Sequence, residues 1–338
     1  MAILVTGGLG FIGSHTVVEL LENNEEVIIC DDLSNSNIQA LERIEKITGK
    51  RPAFYKCDVK DYDFMDNVFN QNKIESIIHF AGFKAVGESV EKPLMYYDNN
   101  INTTLTLLRL MKKYNVRNLV FSSSATVYKV SDIMPLKEDF PLAQTNPYGR
   151  SKFFNEEILK DAVNSDKNLN IALLRYFNPI GAHKSGLIGE NPNGIPNNLM
   201  PYITGVAVGK FDKLRVFGND YPTKDGTGVR DYIHVVDLAK GHLLAIKKLR
   251  TNCRLIVVNL GTGNGYSVLD IVKEFEKQSG IKINFEIVER RPGDIAVCYA
   301  DPSKAEKELC FKAKYSLADM CRDSWNFQKN NPNGYDSE

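Results

Sequence analysis

The sequence lacks an excess of charge of either sign, and it lacks any apolar run long enough to cross a membrane. Lysine plus arginine and aspartate plus glutamate both total 42 among 338 residues. This balance excludes the broad basic surface that nucleic-acid-binding proteins use. The first residues resemble a core strand rather than a signal peptide. We therefore expect a cytoplasmic protein that binds neither nucleic acid nor a membrane.

Cysteine and histidine are scarce and scattered. The six cysteines contain no C-x-x-C pair, and they are Cys30, Cys57, Cys253, Cys298, Cys310 and Cys321. Such spacing favours reduced, mostly buried thiols over disulfides. None of the five histidines stands at metal-ligand spacing from a carboxylate or cysteine. We expect no metal site and a structural role for each histidine.

A glycine-rich turn directly follows the first apolar run, Ile3–Val5. Its glycines are Gly7, Gly10 and Gly13, and the residues after them have a helical pattern. Such glycines permit a tight turn, a close approach of backbone to phosphates and close packing of helix on strand. The helix N-terminus adds free N–H groups and a positive dipole end. Glycines also serve ordinary turns, so the turn alone is weak evidence for a dinucleotide.

Residues after the next three apolar runs strengthen that interpretation. Asp31 follows the second run at the distance where a carboxylate accepts hydrogen bonds from the adenosine ribose, although loop and cap roles are common there. A 2′-phosphate would meet like charge at Asp31, and no arginine immediately follows, so NAD is the expected cofactor. Asp58 follows the third run, near the expected adenine. Ala81 and Gly82 follow the fourth, where backbone can approach the cofactor.

Short β-branched runs alternate with longer amphipathic ones through the first half of the chain. The runs are Ile3–Val5, Val27–Cys30, Ala53–Cys57, Ser76–Phe80, Asn118–Ser122 and Ile171–Leu174. This alternation predicts an α/β fold, a doubly wound parallel Rossmann sheet that binds ligands at the carboxyl ends of its strands. The length of the chain leaves room for a second, smaller domain.

A tyrosine and a lysine stand where the catalytic chemistry of such a sheet is expected. Asn146 has the pattern of a helix N-cap and Pro147 that of a first helical residue, which places Tyr148 and Lys152 one turn apart on one face. The helix dipole and the ammonium should both lower the pKa of Tyr148. Such pairs also arise by chance on exposed helices. The glycine turn and the serines at 122–124, which end the fifth run, favour the catalytic interpretation.

Together, T-G-G-x-G-F-I-G, the Ser124 cluster and Y-x-x-x-K resemble the extended short-chain dehydrogenase/reductase superfamily. Four stretches, at 79–89, 175–179, 194–199 and 226–234, resemble the UDP-glucose 4-epimerase family specifically. The resemblance covers the whole chain. It implies a Rossmann domain at 1–178, rejoined by about 232–250, and a smaller C-terminal α/β domain that binds the UDP-sugar, at 179–231 and 251–338.

The resemblance also implies a set of site residues. Tyr148 matches the catalytic base, Lys152 its partner and Ser124 the hydroxyl that bonds the sugar 4-oxygen. With the glycine turn, the expected NAD contacts are Gly7, Gly10, Phe11, Ile12, Gly13, Asp31, Asp58, Val59, Phe80, Ala81, Gly82, Lys84, Asn99, Tyr148, Lys152 and Phe177. The expected UDP-sugar contacts are Ser124, Asn178, Asn198, Leu199, Leu214, Val216, Phe217, Arg230, Arg291, Asp294 and Cys298.

The implied reaction is reversible C4 epimerisation of UDP-glucose and UDP-galactose through a 4-keto sugar with bound NAD. Two alternatives are a nucleotide-sugar 4,6-dehydratase and a non-catalytic NAD-sensing protein on the same fold. The dehydratases carry an Asp-Glu pair after the strand-end hydroxyl, whereas Ala125 and Thr126 stand here. The family's dimers imply a homodimer through the helical regions Pro93–Lys113 and Pro147–Asp161.

Two positions bear on details. In the family that the chain resembles, a small residue at the position of Cys298 is associated with acceptance of N-acetylated sugars, so the resemblance implies UDP-GlcNAc and UDP-GalNAc as further substrates. Alternatively Cys298 is a buried core thiol, and the neighbouring Tyr299 fills the space. Lys129 replaces the glycine that the family commonly has after Tyr128, which predicts a different loop path there.

Overall fold

A seven-stranded parallel sheet forms the centre of the protein, whose computed structural model describes residues 1–291 and 293–336. Its strands are β1 (Ala2–Thr6), β2 (Glu26–Asp31), β3 (Ala53–Lys56), β4 (Ile74–His79), β5 (Asn118–Ser124), β6 (Asn170–Tyr176) and β10 (Leu255–Leu260). Their spatial order is β10-β6-β5-β4-β1-β2-β3. The order reverses direction at β1 and β4, as in doubly wound folds, which confirms the predicted fold class.

Helices cover both faces of the sheet, because alternate strand residues are apolar on both sides. Ile3, Val5 and Ile29 pack on one face, and Leu4 and Ile28 pack on the other. The surrounding helices are α1 (Phe11–Glu22), α2 (Gln39–Thr48), α3 (Tyr62–Gln71), α4 (Val86–Glu91), α5 (Pro93–Tyr114), α6 (Pro147–Ser165) and α8 (Val235–Leu249). In the part of the chain that is described, no helix is long and apolar enough to span a membrane.

A smaller layer is built on strand β9 (Val229–His234). It pairs in parallel with β7 (Asn178–Ile180) and β13 (Val297–Cys298) and antiparallel with β11 (Gly265–Ser267). A separate parallel pair joins β8 (Leu214–Phe217) to β12 (Phe285–Val288). The remaining helices are α7 (Leu199–Ala207), α9 (Val268–Ser279), α10 (Ser303–Leu309) and α11 (Leu317–Asn330). Side chains from β8, α7, α9 and α11 share one apolar core.

All six apolar runs that were predicted as strands form strands, with ends that differ by at most two residues. Strand β10 was not predicted. It pairs with β6 over its full length, so the segment that rejoins the large sheet continues beyond residue 250 to Leu260. Sequence periodicity did not reveal this strand because an apolar run of six residues carries little information about its partner.

The cysteines behave as their scatter predicts. All six are free thiols, and Cys30, Cys57, Cys298 and Cys321 are buried. Among residues 1–291 and 293–336, no group of three or more His, Cys, Asp or Glu side chains is arranged to hold a metal ion.

Candidate active site

The glycine turn after β1 has room for backbone alone. Gly7 has a φ of +68°, and a Cβ there would lie 2.8 Å from the backbone nitrogen of Ala81. A Cβ on Gly13 would lie 2.2 Å from the carbonyl oxygen of Gly7. Helix α1 follows directly after Gly10, and no side chain in the described structure caps it. Its first N–H groups therefore suit an anionic phosphate, and the turn fits the pyrophosphate of NAD.

Asp31 holds this turn to the loop after β2. Its Oδ2 accepts a hydrogen bond from Leu9 N at 3.0 Å, and its Oδ1 accepts from Leu33 N at 3.0 Å and Ser36 Oγ at 2.6 Å. Burial raises the pKa of the carboxyl, and these donors partly offset that rise. The ribose contact stays a prediction, while the structure adds a second role, that of fixing the turn.

The other expected cofactor residues lie at the carboxyl edge of the same sheet. Those next to the glycine turn begin α1, and the rest follow β3, β4 and β6 or lie on α5. They are Phe11, Ile12, Asp58, Val59, Phe80, Ala81, Gly82, Lys84, Asn99 and Phe177. Val59 and Phe177 are buried, whereas Asp58 and Lys84 are exposed. The fold thus brings residues from five separate segments to one edge, as a dinucleotide site requires.

Asn100 is a site residue whose role the sequence did not define. It is buried, its Oδ1 accepts from Phe83 N at 2.8 Å, and its Nδ2 donates to Phe83 O and to Ser151 Oγ, both at 3.0 Å. Asn99, the expected cofactor contact, donates to Asn100 Oδ1 at 3.2 Å. Asn100 therefore ties the loop after β4 to α6. A polar pair on a buried helix face was the signal for it.

The three expected catalytic residues converge at the end of β5. Ser124 is the last residue of that strand, and its hydroxyl is near enough to the phenol of Tyr148, in the first turn of α6, to lower the pKa of that phenol. Asn146 caps this helix through a 2.8 Å bond from Gly149 N to its Oδ1. Lys152 Nζ donates to Ser122 O at 2.7 Å and lies 6.0 Å from the centre of the Tyr148 ring. A hydroxyl, a phenol and an ammonium thus share one small space.

The electrostatics of this group differ from the sequence prediction. Burial raises the pKa of Tyr148 above its ordinary value, although the nearby Ser124 hydroxyl lowers it in part. Burial also lowers the pKa of Lys152 to about 8. The expected lowering of the Tyr148 pKa is therefore wrong for the protein alone. Loss of water around the phenol sets the direction of this shift.

A buried polar network beneath the trio was missed at the sequence level. Glu156, fully buried on α6, accepts from Arg175 Nε at 2.9 Å and from Ser123 Oγ at 2.5 Å. Arg175 also donates to Tyr128 Oη at 3.1 Å, and Tyr128 donates to Asn259 Oδ1 at 2.6 Å. The network joins β5, α6, β6 and β10. An arginine inside an otherwise apolar strand was the available signal.

Two arginines on the substrate side have polar or aromatic neighbours. Arg230, on β9, has a terminal nitrogen 3.7 Å from Asp294 Oδ1. The guanidinium carbon of Arg291 lies 3.8 Å from the centre of the Phe217 ring. Both side chains keep planar donors that suit a pyrophosphate. Their assignment to the UDP-sugar remains a prediction.

The expected UDP-sugar contacts on β7, α7 and β8 form one accessible group and one buried group. Asn178 and Asn198 are exposed, on β7 and at the start of α7, and Leu199 is partly buried beside Asn198. Leu214 and Val216, in contrast, are almost fully buried in the smaller core. Their side chains form that core, so a contact of these two residues with the UDP-sugar, which stays a prediction, would have to use the backbone of β8.

Cys298 and Tyr299 lie on different sides of the chain. Cys298 is 9% exposed, pairs in register with Arg230 and packs with Tyr128 and Phe177. A Cβ on Gly265 would lie 3.4 Å from the Tyr299 ring, so that ring covers Gly265. Tyr299 therefore does not fill the space next to Cys298.

At Lys129 the loop after Tyr128 does not adopt a left-handed backbone conformation. Lys129 is not among the described residues with positive φ, and its N–H donates to Pro141 O at 2.9 Å. A lysine readily adopts such a conformation, whereas a left-handed conformation would favour glycine. A difference in path from the rest of the family stays a prediction.

Known proteins resemble this chain over its full length. A family model described as GDP-mannose 4,6 dehydratase matches residues 4–324. The UDP-glucose 4-epimerase of Bacillus subtilis (strain 168) is 59% identical over 337 residues, which cover 100% of this chain and 99% of that protein. The chain belongs to the UDP-glucose 4-epimerase family. This confirms the family that the motifs indicated.

Solved structures of the UDP-glucose 4-epimerase family share the fold. The crystal structure of the enzyme from Bifidobacterium longum in complex with NAD+ and UDP matches with a TM-score of 0.95 and 55% identity, covering 99% of this chain and 100% of that one. The enzyme from Stenotrophomonas maltophila, with bound NAD and formylated UDP-arabinopyranose, matches with a TM-score of 0.96 and 50% identity over 98% of both chains. The Rossmann sheet and the smaller layer described above are thus the architecture of this epimerase family.

Proposed function

We propose that this protein is an NAD-dependent UDP-glucose 4-epimerase, an isomerase that interconverts UDP-glucose and UDP-galactose. The observation that carries the proposal is the convergence of Ser124, Tyr148 and Lys152 at the edge of the sheet that also carries the glycine turn. A proton acceptor, a hydroxyl and a cation beside a dinucleotide site are the groups that oxidation of a sugar alcohol requires. Membership of the epimerase family fixes which alcohol is oxidised.

In this mechanism Tyr148 removes the proton of the sugar 4-hydroxyl while Ser124 holds the same oxygen. Lys152 keeps a positive charge next to the phenolate, and its position beside Gly82 suits a contact with the cofactor ribose. Bound NAD supplies the reversible hydride acceptor at C4. The 4-keto sugar then turns and presents its other face, and Tyr148 returns the proton. The net redox change is zero, so the cofactor need not leave.

The smaller layer binds the nucleotide while the sugar turns. Arg230 and Arg291 suit the two phosphates because a guanidinium donates two parallel hydrogen bonds to an anion. Phe217, which is partly buried under Arg291, belongs to β8, and this short strand resembles the one that binds the uridine in the epimerase family. Anchoring the diphosphate at a distance from C4 leaves the sugar free to rotate between its two orientations.

The deciding experiment is NMR of UDP-glucose incubated with the purified protein alone. We expect UDP-galactose to appear without added NAD, since the cofactor is recycled in every turnover. The matched control is Tyr148→Phe, which keeps the ring and loses the proton acceptor. Its turnover should fall by about a hundredfold to ten-thousandfold. No UDP-galactose from the parent protein, with NAD bound, would contradict the proposal.

The two alternatives lack support at the site. A 4,6-dehydratase needs an acid and a base for elimination across C5 and C6, whereas Ser124 is followed by Ala125 and Thr126. Ser124 Oγ accepts from Thr126 Oγ1 at 3.0 Å, so a hydroxyl stands where that family has a carboxylate. A non-catalytic sensor would have no need for the partly buried Tyr148 and the buried Lys152.

We further infer that N-acetylated UDP-sugars are accepted as well. Cys298 is small, and the ring of the adjacent Tyr299 lies over Gly265 rather than next to Cys298. An acetamido group needs space that a tyrosine at position 298 would occupy. The alternative, in which Cys298 serves only the core that it shares with Phe177, predicts no activity on such sugars.

The variant Cys298→Tyr tests this second activity. We expect UDP-GlcNAc turnover to fall by about tenfold or more, with UDP-galactose turnover retained, because the phenol occupies only the space of the 2-substituent. Cys253→Tyr, at a partly buried thiol outside the site, is the control. If the parent protein epimerises UDP-galactose and not UDP-GlcNAc, the inference is wrong.

We also infer a homodimer and a reducing, cytoplasmic location. Leu94 and Tyr97 on α5 share one helix face, and the Tyr97 ring contacts Phe154 on α6 at 6.1 Å between centroids. We call these three residues the α5–α6 patch; Leu94 is 81% exposed and Phe154 40%. An apolar patch across two helices suits a second copy related by a twofold axis. Six free thiols support a reducing compartment, which cell fractionation tests.

A further inference from the structure

One buried carboxylate contacts residues from both sides of the site. Glu190 lies in the loop between β7 and α7. Its Oε1 accepts from Asn198 Nδ2 at 2.7 Å and lies 3.4 Å from Lys84 Nζ. Lys84 belongs to the loop after β4, where the cofactor contacts cluster, and Asn198 belongs to the expected UDP-sugar contacts. A single oxygen therefore joins two loops that are distant in the sequence.

Burial of the Glu190 carboxylate costs more free energy than its contacts contribute to the stability of the fold. The Glu190 side chain is only 9% exposed, and its Oε2 has no hydrogen-bond partner within residues 1–291 and 293–336. A buried acceptor without a partner costs about 1–3 kcal/mol, more for a charged group. Lys84 is 51% exposed, so its ion pair with Glu190 contributes little stability in return. The position of Glu190 between the two loops therefore explains the presence of a carboxylate better than stability does.

We propose that Glu190 is a positioning residue that couples binding of the UDP moiety to retention of NAD. This inference rests on the proposed function, since it assigns Lys84 to the cofactor and Asn198 to the nucleotide sugar. Lys84 and Asn198 both donate to Oε1 of Glu190. Displacement of either side chain therefore changes the interaction of Glu190 with the other. Contact of a UDP moiety with Asn198 is thereby transmitted to Lys84 and to the loop after β4.

The test measures exchange of NAD on the holoenzyme rather than turnover. Bound NAD is exchanged against isotopically labelled NAD, with and without saturating UDP, and the label is followed by mass spectrometry. In the parent protein UDP should slow exchange by about fivefold or more. In Glu190→Gln, which keeps size and removes the charge that holds Lys84, the factor should fall below about twofold.

The control is Asp66→Asn, which makes the same carboxylate-to-amide change in an ion pair between two other elements. Asp66, on α3, accepts from Lys113 on α5 at 2.6 Å, and neither residue belongs to either of the two loops. It should keep the parent's response to UDP. If Glu190→Gln does not fold, Glu190→Asp replaces it, because the shorter side chain cannot hold both partners.

Two outcomes overturn the inference: no effect of UDP on exchange in the parent protein, or an equal effect in the parent and in the Glu190 variant. Neither outcome depends on turnover of a sugar. Production of UDP-galactose by the parent protein is measured separately, so failure of the coupling and failure of the proposed activity are distinguishable. A coupling that Asp66→Asn also abolishes would likewise contradict a specific role for Glu190.

Discussion

At the scale of single residues, burial sets the protonation of the candidate acid/base pair. It raises the pKa of Tyr148 and lowers that of Lys152 to about 8. Near neutral pH the protein alone therefore holds a neutral phenol and an ammonium. The ammonium favours the phenolate as the proton leaves, because an opposite charge within about 4–6 Å stabilises the charged form. The proximity of Lys152 to Tyr148 therefore determines how readily the phenol loses its proton.

Lys152→Met should reduce epimerisation near neutral pH and move the acid limb of the pH–rate profile upward by about one unit or more. The reason is that the phenolate loses the cation that lies 6.0 Å from its ring centre. Measurement of kcat between pH 6 and 10 checks the shift. Lys113→Met, at a lysine 50% exposed on α5, should leave the profile unchanged. An unmoved limb in Lys152→Met would remove its electrostatic role.

The same lysine should make stability depend on pH. Its pKa is about 8 in the folded protein and about 10.4 in an unfolded chain, so the unfolded state binds more protons between these values. The contribution of Lys152 to the free energy of unfolding therefore rises as pH increases from about 8 to about 10.4. Urea titrations across this range should show a steeper rise for the parent than for Lys152→Met. Equal slopes would contradict the lowered pKa.

Asp31→Ala should weaken NAD binding and reduce the preference for NAD over NADP. Leu9 N and Leu33 N lose their acceptor, which costs about 1–3 kcal/mol for a buried donor left unpaired. Removal of the carboxylate also removes the repulsion of a 2′-phosphate. Kd values for both dinucleotides test this. Asp32→Ala, next in sequence and bonded to Ser34, is the control. Unchanged discrimination would separate Asp31 from the ribose.

At the scale of elements, the start of α6 positions the chemistry. Asn146 caps the helix, Pro147 is its first residue, and Tyr148 follows within the first turn. A Cβ on Gly149 would lie 2.8 Å from Thr126 O, so the helix start packs closely on the segment after Ser124. Small changes in this cap therefore move the phenol relative to the serine hydroxyl.

Asn146→Ala should lower the free energy of unfolding by about 1 kcal/mol and reduce kcat, because the cap that fixes the Tyr148 backbone is lost. Asn146→Ser, which retains a capping oxygen, should recover most of both losses. Chemical unfolding and steady-state kinetics provide the two measurements. Full activity in Asn146→Ala, accompanied by lower stability, would show that the cap does not position the phenol.

Local patterns predicted much of this architecture, whereas contacts between distant segments escaped them. The glycine turn and the Asn146–Pro147 cap depend on neighbours in sequence, and both form as expected. Strand β10, by contrast, acquires its identity from β6. The pairing of Glu156 with Arg175 and the contact of Glu190 with Lys84 also join separate elements. No periodicity within one segment encodes such partners.

At the scale of the whole molecule, polar contacts tie the two layers together around the site. Arg43, on α2, donates to Leu187 O at 2.9 Å and to Asn331 Oδ1 at 2.7 Å, which joins the large sheet's helices to the C-terminal region. Asp231, on β9, accepts from Thr262 N at 2.9 Å and from Ala300 N at 3.1 Å. The site thus lies between layers that are held at several points.

The α5–α6 patch leads to the last prediction, which concerns assembly. In one copy of the chain Leu94 is 81% exposed, so Leu94→Glu should leave the fold of that copy intact. In a twofold dimer through the patch, the substitution brings two carboxylates into an apolar interface, where unpaired charges are costly. Sedimentation velocity at micromolar concentration should give twice the 38.0 kDa chain mass for the parent and the single mass for Leu94→Glu.

Ile195→Glu, at an equally apolar position that is 73% exposed and lies on neither α5 nor α6, should remain dimeric. A monomeric parent, or a dimer that survives Leu94→Glu, would exclude this patch as the interface.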